Sequence, residues 1–175
     1  KEQIQVFKQG LPFVNLKSAS TCGNGILKLT ENERQVLIDL FDVRRNSNSI
    51  LKFVPASGAA TRMFKSLFKF IESYNPEKES LNAYINREKE SNLKLFFVGL
   101  EKFPFYDIVQ QQMEKYYPEY ETFSTDEQRL YFVKTMLDSD KLNYGFFPKG
   151  LLPFHKYKGH IATAFEEHLF EAALY

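Results

Sequence analysis

Arg62, Lys65 and Lys149 are the side chains whose type and setting point most directly to chemistry, namely the holding of a multiply charged anion. In the stretch KFVPASGAATRM, Lys52 to Met63, the small residues Ser57, Gly58, Ala59 and Ala60 lead through Thr61 into Arg62. Where a strand turns into a helix, the first helical N–H groups have no intrahelical acceptor, and the peptide dipoles leave partial positive charge there. A phosphate can complete such a turn, and small side chains let the backbone approach it. The same residues would also let a helix pack closely on a strand, and both readings stand. Cations in a first helical turn oppose the dipole by about 0.3–1 kcal/mol each. Arg62 and Lys65 there need solvent, a carboxylate or a bound phosphate as compensation. Lys149 lies in a second stretch, PKGLLPF from Pro148 to Phe154, with His155 directly after it. Both are assigned to the same anion site, although Lys149 taken by itself also reads as an exposed loop lysine.

Charge distribution points the same way. The formal net charge is +1, so the chain as a whole exerts no strong attraction on nucleic acid or an anionic membrane. Residues 43–71 nevertheless carry six cations and no acid, and residues 141–165 carry four and no acid. Each window contains one of the two stretches.

Other constellations are weaker. His155, His160 and His168 with Cys22 do not make a zinc spacing, so no metal ligands are assigned. Asp138-Ser139-Asp140 opens like a calcium loop but has Asn143 where that loop needs Gly and Lys149 where it ends in Glu. Glu166 is better explained as a helix-capping partner of Thr163 than as an acid-base group. A single cysteine excludes an intrachain disulfide. There is no apolar run of the roughly 20 residues a membrane span needs, and KEQIQVFKQG lacks a signal-peptide centre. A cytoplasmic setting is expected, with no nucleic acid or membrane partner; no protein partner is identified.

The elements that must position these residues follow from periodicity. A helical face at Ile4 and Phe7 should end at Gly10, with an irregular stretch to Lys17. Thr30 to Glu33 forms a capping box, predicting a helix to about Phe41 whose apolar face is Val36, Leu37, Leu40 and Phe41. Ile50 to Val54 reads as a short strand stopped by Pro55, and a helical pattern runs from Ala60 to Asn75-Pro76. Helices are expected at Leu81–Lys89, Leu93–Leu100, Phe105–Tyr116 and Thr125–Leu137, the last behind a capping box at Ser124 to Glu127. Gly150 to His155 reads as a second strand, and Thr163 to Glu166 opens a final helix. The 18 Phe and 10 Tyr imply an aromatic core.

Val54 to Met63, VPASGAATRM, resembles the opening signature of the sugar nucleotidyltransferases, an apolar strand, a Gly-rich segment and then Thr-Arg with an apolar residue. Pro148 to Pro153 resembles their second signature, Pro-Lys followed by an apolar strand. The wording VPASGAATRMFK, PKGLLPFHKY and EEHLFEAALY is also similar to a bacterial family of unknown function with longer members, which implies that this chain is an N-terminal portion. The resemblance implies a helix-rich α/β fold: part of a Rossmann-like nucleotidyltransferase sheet with few parallel strands, 50–55 beside 150–155, and a large helical insertion. Residues 1–49 would be a helical lead-in, 50–75 and 146–175 the core, and 76–145 the insertion. It further implies catalytic roles for Arg62 and Lys149, phosphate contacts from Ser57 to Thr61, and magnesium in the complete protein, with none of its ligands identifiable here. The implied partners are a nucleoside triphosphate or a sugar phosphate, and the implied reaction is nucleotidyl transfer to a sugar 1-phosphate. Ser57 and Ala60 stand where that family usually has Gly. A non-catalytic anion-binding module and a helical protein-interaction domain are the alternatives.

Overall fold

Residues 2–10 and 13–174 are described by the computed structural model of the chain. Contacts divide it into two compact units, Lys1–Leu51 and Lys52–Tyr175. In the first, helix α1 (Glu2–Gln9) ends at Gly10, whose φ of +78° is the left-handed conformation that glycine tolerates. The irregular stretch expected after it includes residues 11 and 12, which lie outside the described residues. Two-residue strands β1 (Thr21–Cys22) and β2 (Gly25–Ile26) flank a tight turn. Helix α2 (Glu31–Arg44) starts as expected: the Glu33 N–H donates to Thr30 Oγ1 at 3.3 Å and the Thr30 N–H to Glu33 Oε2 at 2.8 Å. It runs three residues beyond the expected Phe41, since Asp42, Val43 and Arg44 contain no breaker. No described residue of this unit is buried, and Val36, Leu37, Leu40 and Phe41 are exposed.

The second unit gathers its apolar residues on helices. These are α3 (Lys65–Ser73), α4 (Leu81–Glu88), α5 (Ser91–Val98), α6 (Tyr106–Tyr116) and α7 (Thr125–Leu137). Each of the last four lies within two residues of the sequence expectation at either end. Helix α7 begins with the Ser124–Glu127 capping box and is the central one: Leu130, Phe132, Val133, Met136 and Leu137 are all buried, so it is covered on most sides. It packs against α3 and α6. The aromatic core is real, with Phe70 in contact with Tyr74, Tyr84 and Phe97 at centroid separations of 4.9, 5.6 and 5.5 Å. Full burial of each such side chain is worth about 1.5–3 kcal/mol. Residues 76–145, expected as an insertion, thus share one core with α3.

Strand expectations fare differently. Residues 50–57 have no regular secondary structure, so the expected strand at Ile50–Val54 is not formed. A strand exists only through a partner, and the expected partner pairs elsewhere: β3 (Pro153–Tyr157) joins β4 (His160–Thr163) in an antiparallel hairpin. Gly159, at φ +100°, makes its turn. Closing this short loop costs far less chain entropy than pairing with a segment about a hundred residues away. The parallel pair 50–55 with 150–155 is therefore corrected to a hairpin, and the described strands make only two two-stranded sheets. The helix expected from Ala60 is a 3₁₀ turn at Ala60–Arg62 followed by α3 from Lys65. After β4 the Thr163–Glu166 capping box opens α8 (Ala164–Ala172) as expected.

Candidate functional site

The two stretches meet, though not as parallel strands. Ala59 and Pro148 form an isolated antiparallel bridge. Around it the Ala60 N–H donates to Phe147 O at 3.2 Å, the Lys149 N–H to Gly58 O at 3.0 Å and the Gly150 N–H to Ala56 O at 3.3 Å. Glycine is required at 150: a Cβ there would lie 2.8 Å from the Ala56 Cβ. The small residues at the junction therefore divide by role. Ala60 is fully buried and its N–H is spent on Phe147, so it packs and offers no donor to an anion. A Cβ added at Gly58 would meet nothing within 4 Å, so packing does not explain that glycine. Ser57 and Ala59 are exposed and Thr61 is half-buried.

Beside the junction is a cleft of about 1020 Å³. Arg62, Lys65 and Lys149 line it, from the 3₁₀ turn, the first turn of α3 and the PKG turn respectively. No Asp or Glu is among its described lining residues. The acid-free windows of the sequence have here been sorted by the fold. Lys52 is paired with Glu171, Lys69 with Glu88 and Glu90, Lys141 with Asp138, and Lys156 with Asp107. Among the described residues Arg62, Lys65 and Lys149 have no carboxylate within ion-pair distance. Since α3 starts only at Lys65, Arg62 precedes the helix and does not oppose its dipole from within the first turn.

His155 does not line the cleft. On β3 it points to α8, where its Nδ1 lies 2.9 Å from Glu167 Oε1 and the Tyr157 hydroxyl donates to the same oxygen at 2.7 Å. These bonds, Tyr157 first, hold the Glu167 carboxyl below the ordinary carboxylate value. The histidine at the cleft is His168 of α8, which sequence reading passed over. Its only sequence signal was a place on the last amphipathic helix. The remaining wall is aromatic and aliphatic, with Phe96, Phe103, Phe105, Tyr144 and Phe154 prominent. Phe96, Phe103, Phe105 and Tyr144 lie in the 76–145 segment expected as a helical insertion, and Phe154 ends the PKGLLPF stretch.

Magnesium, implied by the resemblance, finds no carboxylate in this lining, and no group of three or more His, Cys, Asp or Glu among the described residues is placed to hold a metal ion. These residues do not fit that ion, and no step is derived through it.

A family model described as domain of unknown function DUF4301 matches residues 1–175. The chain belongs to this family. No curated protein and no solved structure matches it. For this DUF4301 member, then, function has to be argued from the cleft itself. No described helix is long and apolar enough to cross a membrane.

Proposed function

We propose that this DUF4301 chain binds a phosphorylated small molecule, a nucleotide or a phosphosugar, in the cleft lined by Arg62, Lys65 and Lys149. One observation carries the reading: three cations with no carboxylate partner among the described residues line one cleft, and no Asp or Glu is among its described lining residues. Arg62, Lys65 and Lys149 are exposed, so all three are open to a ligand from solvent, and a multiply charged anion is the partner that would compensate all three. Arginine supplies a planar fork to two phosphate oxygens, while the lysines act as mobile point charges. The backbone bonds between residues 56–60 and 147–150 support the reading, because they tie the segment that carries Lys149 to the one that leads into Arg62.

Binding is the better-supported half of the proposal. The resemblance to sugar nucleotidyltransferases adds nucleotidyl transfer to a sugar 1-phosphate, for which the cleft supplies charge but no carboxylate. Titration calorimetry with ATP and with glucose 1-phosphate, with and without magnesium, tests binding. Arg62→Ala and Lys149→Ala should each weaken the bound ligand about 10-fold or more, the worth of one hydrogen bond to a charged group. Unchanged affinity in both variants would overturn the reading, and pyrophosphate release would separate turnover from binding.

A further inference from the structure

The cations account for one part of a ligand, and the aromatic residues that line the same cleft bear on the rest. Phe96, Phe103 and Phe105 form a ladder along the cleft: Phe96 and Phe103 stack at 5.2 Å with 29° between planes, and Phe103 and Phe105 at 5.0 Å with 8°. Tyr144 meets the Phe105 ring edge-on at 6.2 Å and also lines the cleft. Phe105 is 8% exposed, so the part-exposed Phe96 and Phe103 are the rings a ligand reaches.

We propose that the ligand carries a planar aromatic ring beside its phosphate, held against Phe96 and Phe103, so that the cleft takes aryl and nucleoside phosphates and rejects sugar phosphates. This rests on the phosphate-binding reading of the same cleft. A hexose phosphate would bring several hydroxyls out of water, each needing a new partner. Apart from its cations and His168, the described lining residues offer only Ser66, Asn92 and Tyr144 as side-chain hydrogen-bonding groups. A flat ring needs few such partners, and its face and edge complement the quadrupoles of the phenyl rings. Stacking tolerates any base, because every base has a π-face. With no carboxylate and few amides or hydroxyls to read base edges, the cleft discriminates weakly between nucleobases.

Matched probes test this on the whole chain by titration calorimetry. Tripolyphosphate reports the anion end alone. ATP and CTP should each bind about 10-fold tighter than tripolyphosphate, and within about 3-fold of one another. Among monophosphates, phenyl phosphate should exceed cyclohexyl phosphate, which has the same ring size without planarity, and both should exceed glucose 1-phosphate. Phe103→Leu should bring ATP down to the affinity of tripolyphosphate while leaving tripolyphosphate itself unchanged. Phe96→Leu provides the same comparison should Phe103→Leu melt early.

The ring assignment is overturned if cyclohexyl or glucose phosphate equals phenyl phosphate, or if ATP gains nothing over tripolyphosphate. If tripolyphosphate binding survives both Arg62→Ala and Lys149→Ala undiminished, the phosphate-binding reading fails instead. The two failures are therefore read from different probes.

Discussion

Replacing Gly150 by Ala tests the junction that brings the two cationic segments together. The added Cβ would sit 2.8 Å from the Ala56 Cβ, 3.4 Å from the Ala56 carbonyl oxygen and 3.7 Å from the Phe165 Cβ. Ordinary carbon contacts are about 3.5–4.0 Å, so the two segments of the junction must part by roughly 0.7–1.2 Å. Overpacking of this kind costs about 1–3 kcal/mol. The Gly150 N–H to Ala56 O bond, 3.3 Å long at the outset, weakens as well, at up to about 1 kcal/mol. Lower entropy of the unfolded chain returns about 0.4–1 kcal/mol. The net expectation is a loss of about 1–3 kcal/mol in urea denaturation, with phosphate-ligand affinity falling as Lys149 moves with its segment. Ala56→Gly removes the methyl group that is struck. The double variant Ala56→Gly with Gly150→Ala should therefore be more stable than the sum of the single changes by about 1 kcal/mol. Strict additivity would refute the argument, because no contact between residues 56 and 150 would then be limiting.

Gly58→Ala is the contrasting case: a Cβ there meets nothing within 4 Å, so stability should stay within about 0.5 kcal/mol of the parent in the same urea assay. A loss above about 1 kcal/mol would show that the loop packs more tightly than it does in the structure. Ser124→Ala removes the cap of α7 and should cost about 1 kcal/mol, read by thermal melting followed by circular dichroism. Thr135→Val replaces a fully buried hydroxyl with no hydrogen-bond partner among the described residues, so stability should hold or rise by up to about 1 kcal/mol. A clear loss would reveal a partner for that oxygen. Glu33, Glu127 and Glu166 are held below the ordinary carboxylate value by bonds to Thr30, Ser124 and Thr163. A lowered folded value means this stability is present above about pH 4.5, the unfolded value, and is lost as pH falls through the folded values. Denaturation midpoints should drop between pH 6 and pH 3, and Glu127→Gln should flatten that dependence.

What could be read in advance follows the range of the interactions involved. Helices α4 to α7 and all three capping boxes were legible because a cap needs only residues three apart and a helical face only residues three and four apart. The two signature stretches were legible as partners, and they meet, but through an antiparallel bridge at Ala59 and Pro148. Strand pairing depends on which acceptors are nearest in space, and the hairpin across Gly159 took the segment that a parallel sheet would have needed. His155 was placed at the site by its nearness in sequence to Lys149, whereas strand β3 turns it to Glu167.

By itself the sequence determined the helices, their caps, the aromatic character of the core and the two cationic segments, because each is set by local spacing or composition. Only the tertiary structure decided which cations have no carboxylate partner among the described residues, since Lys52, Lys69 and Lys156 find theirs on elements distant in the chain while Arg62, Lys65 and Lys149 do not. It also decided that Phe96, Phe103 and Phe105 stack into one wall and that His168 reaches the cleft. Charge pairing and ring stacking depend on distances across the fold, and those are settled when α3 to α7 close around their common core.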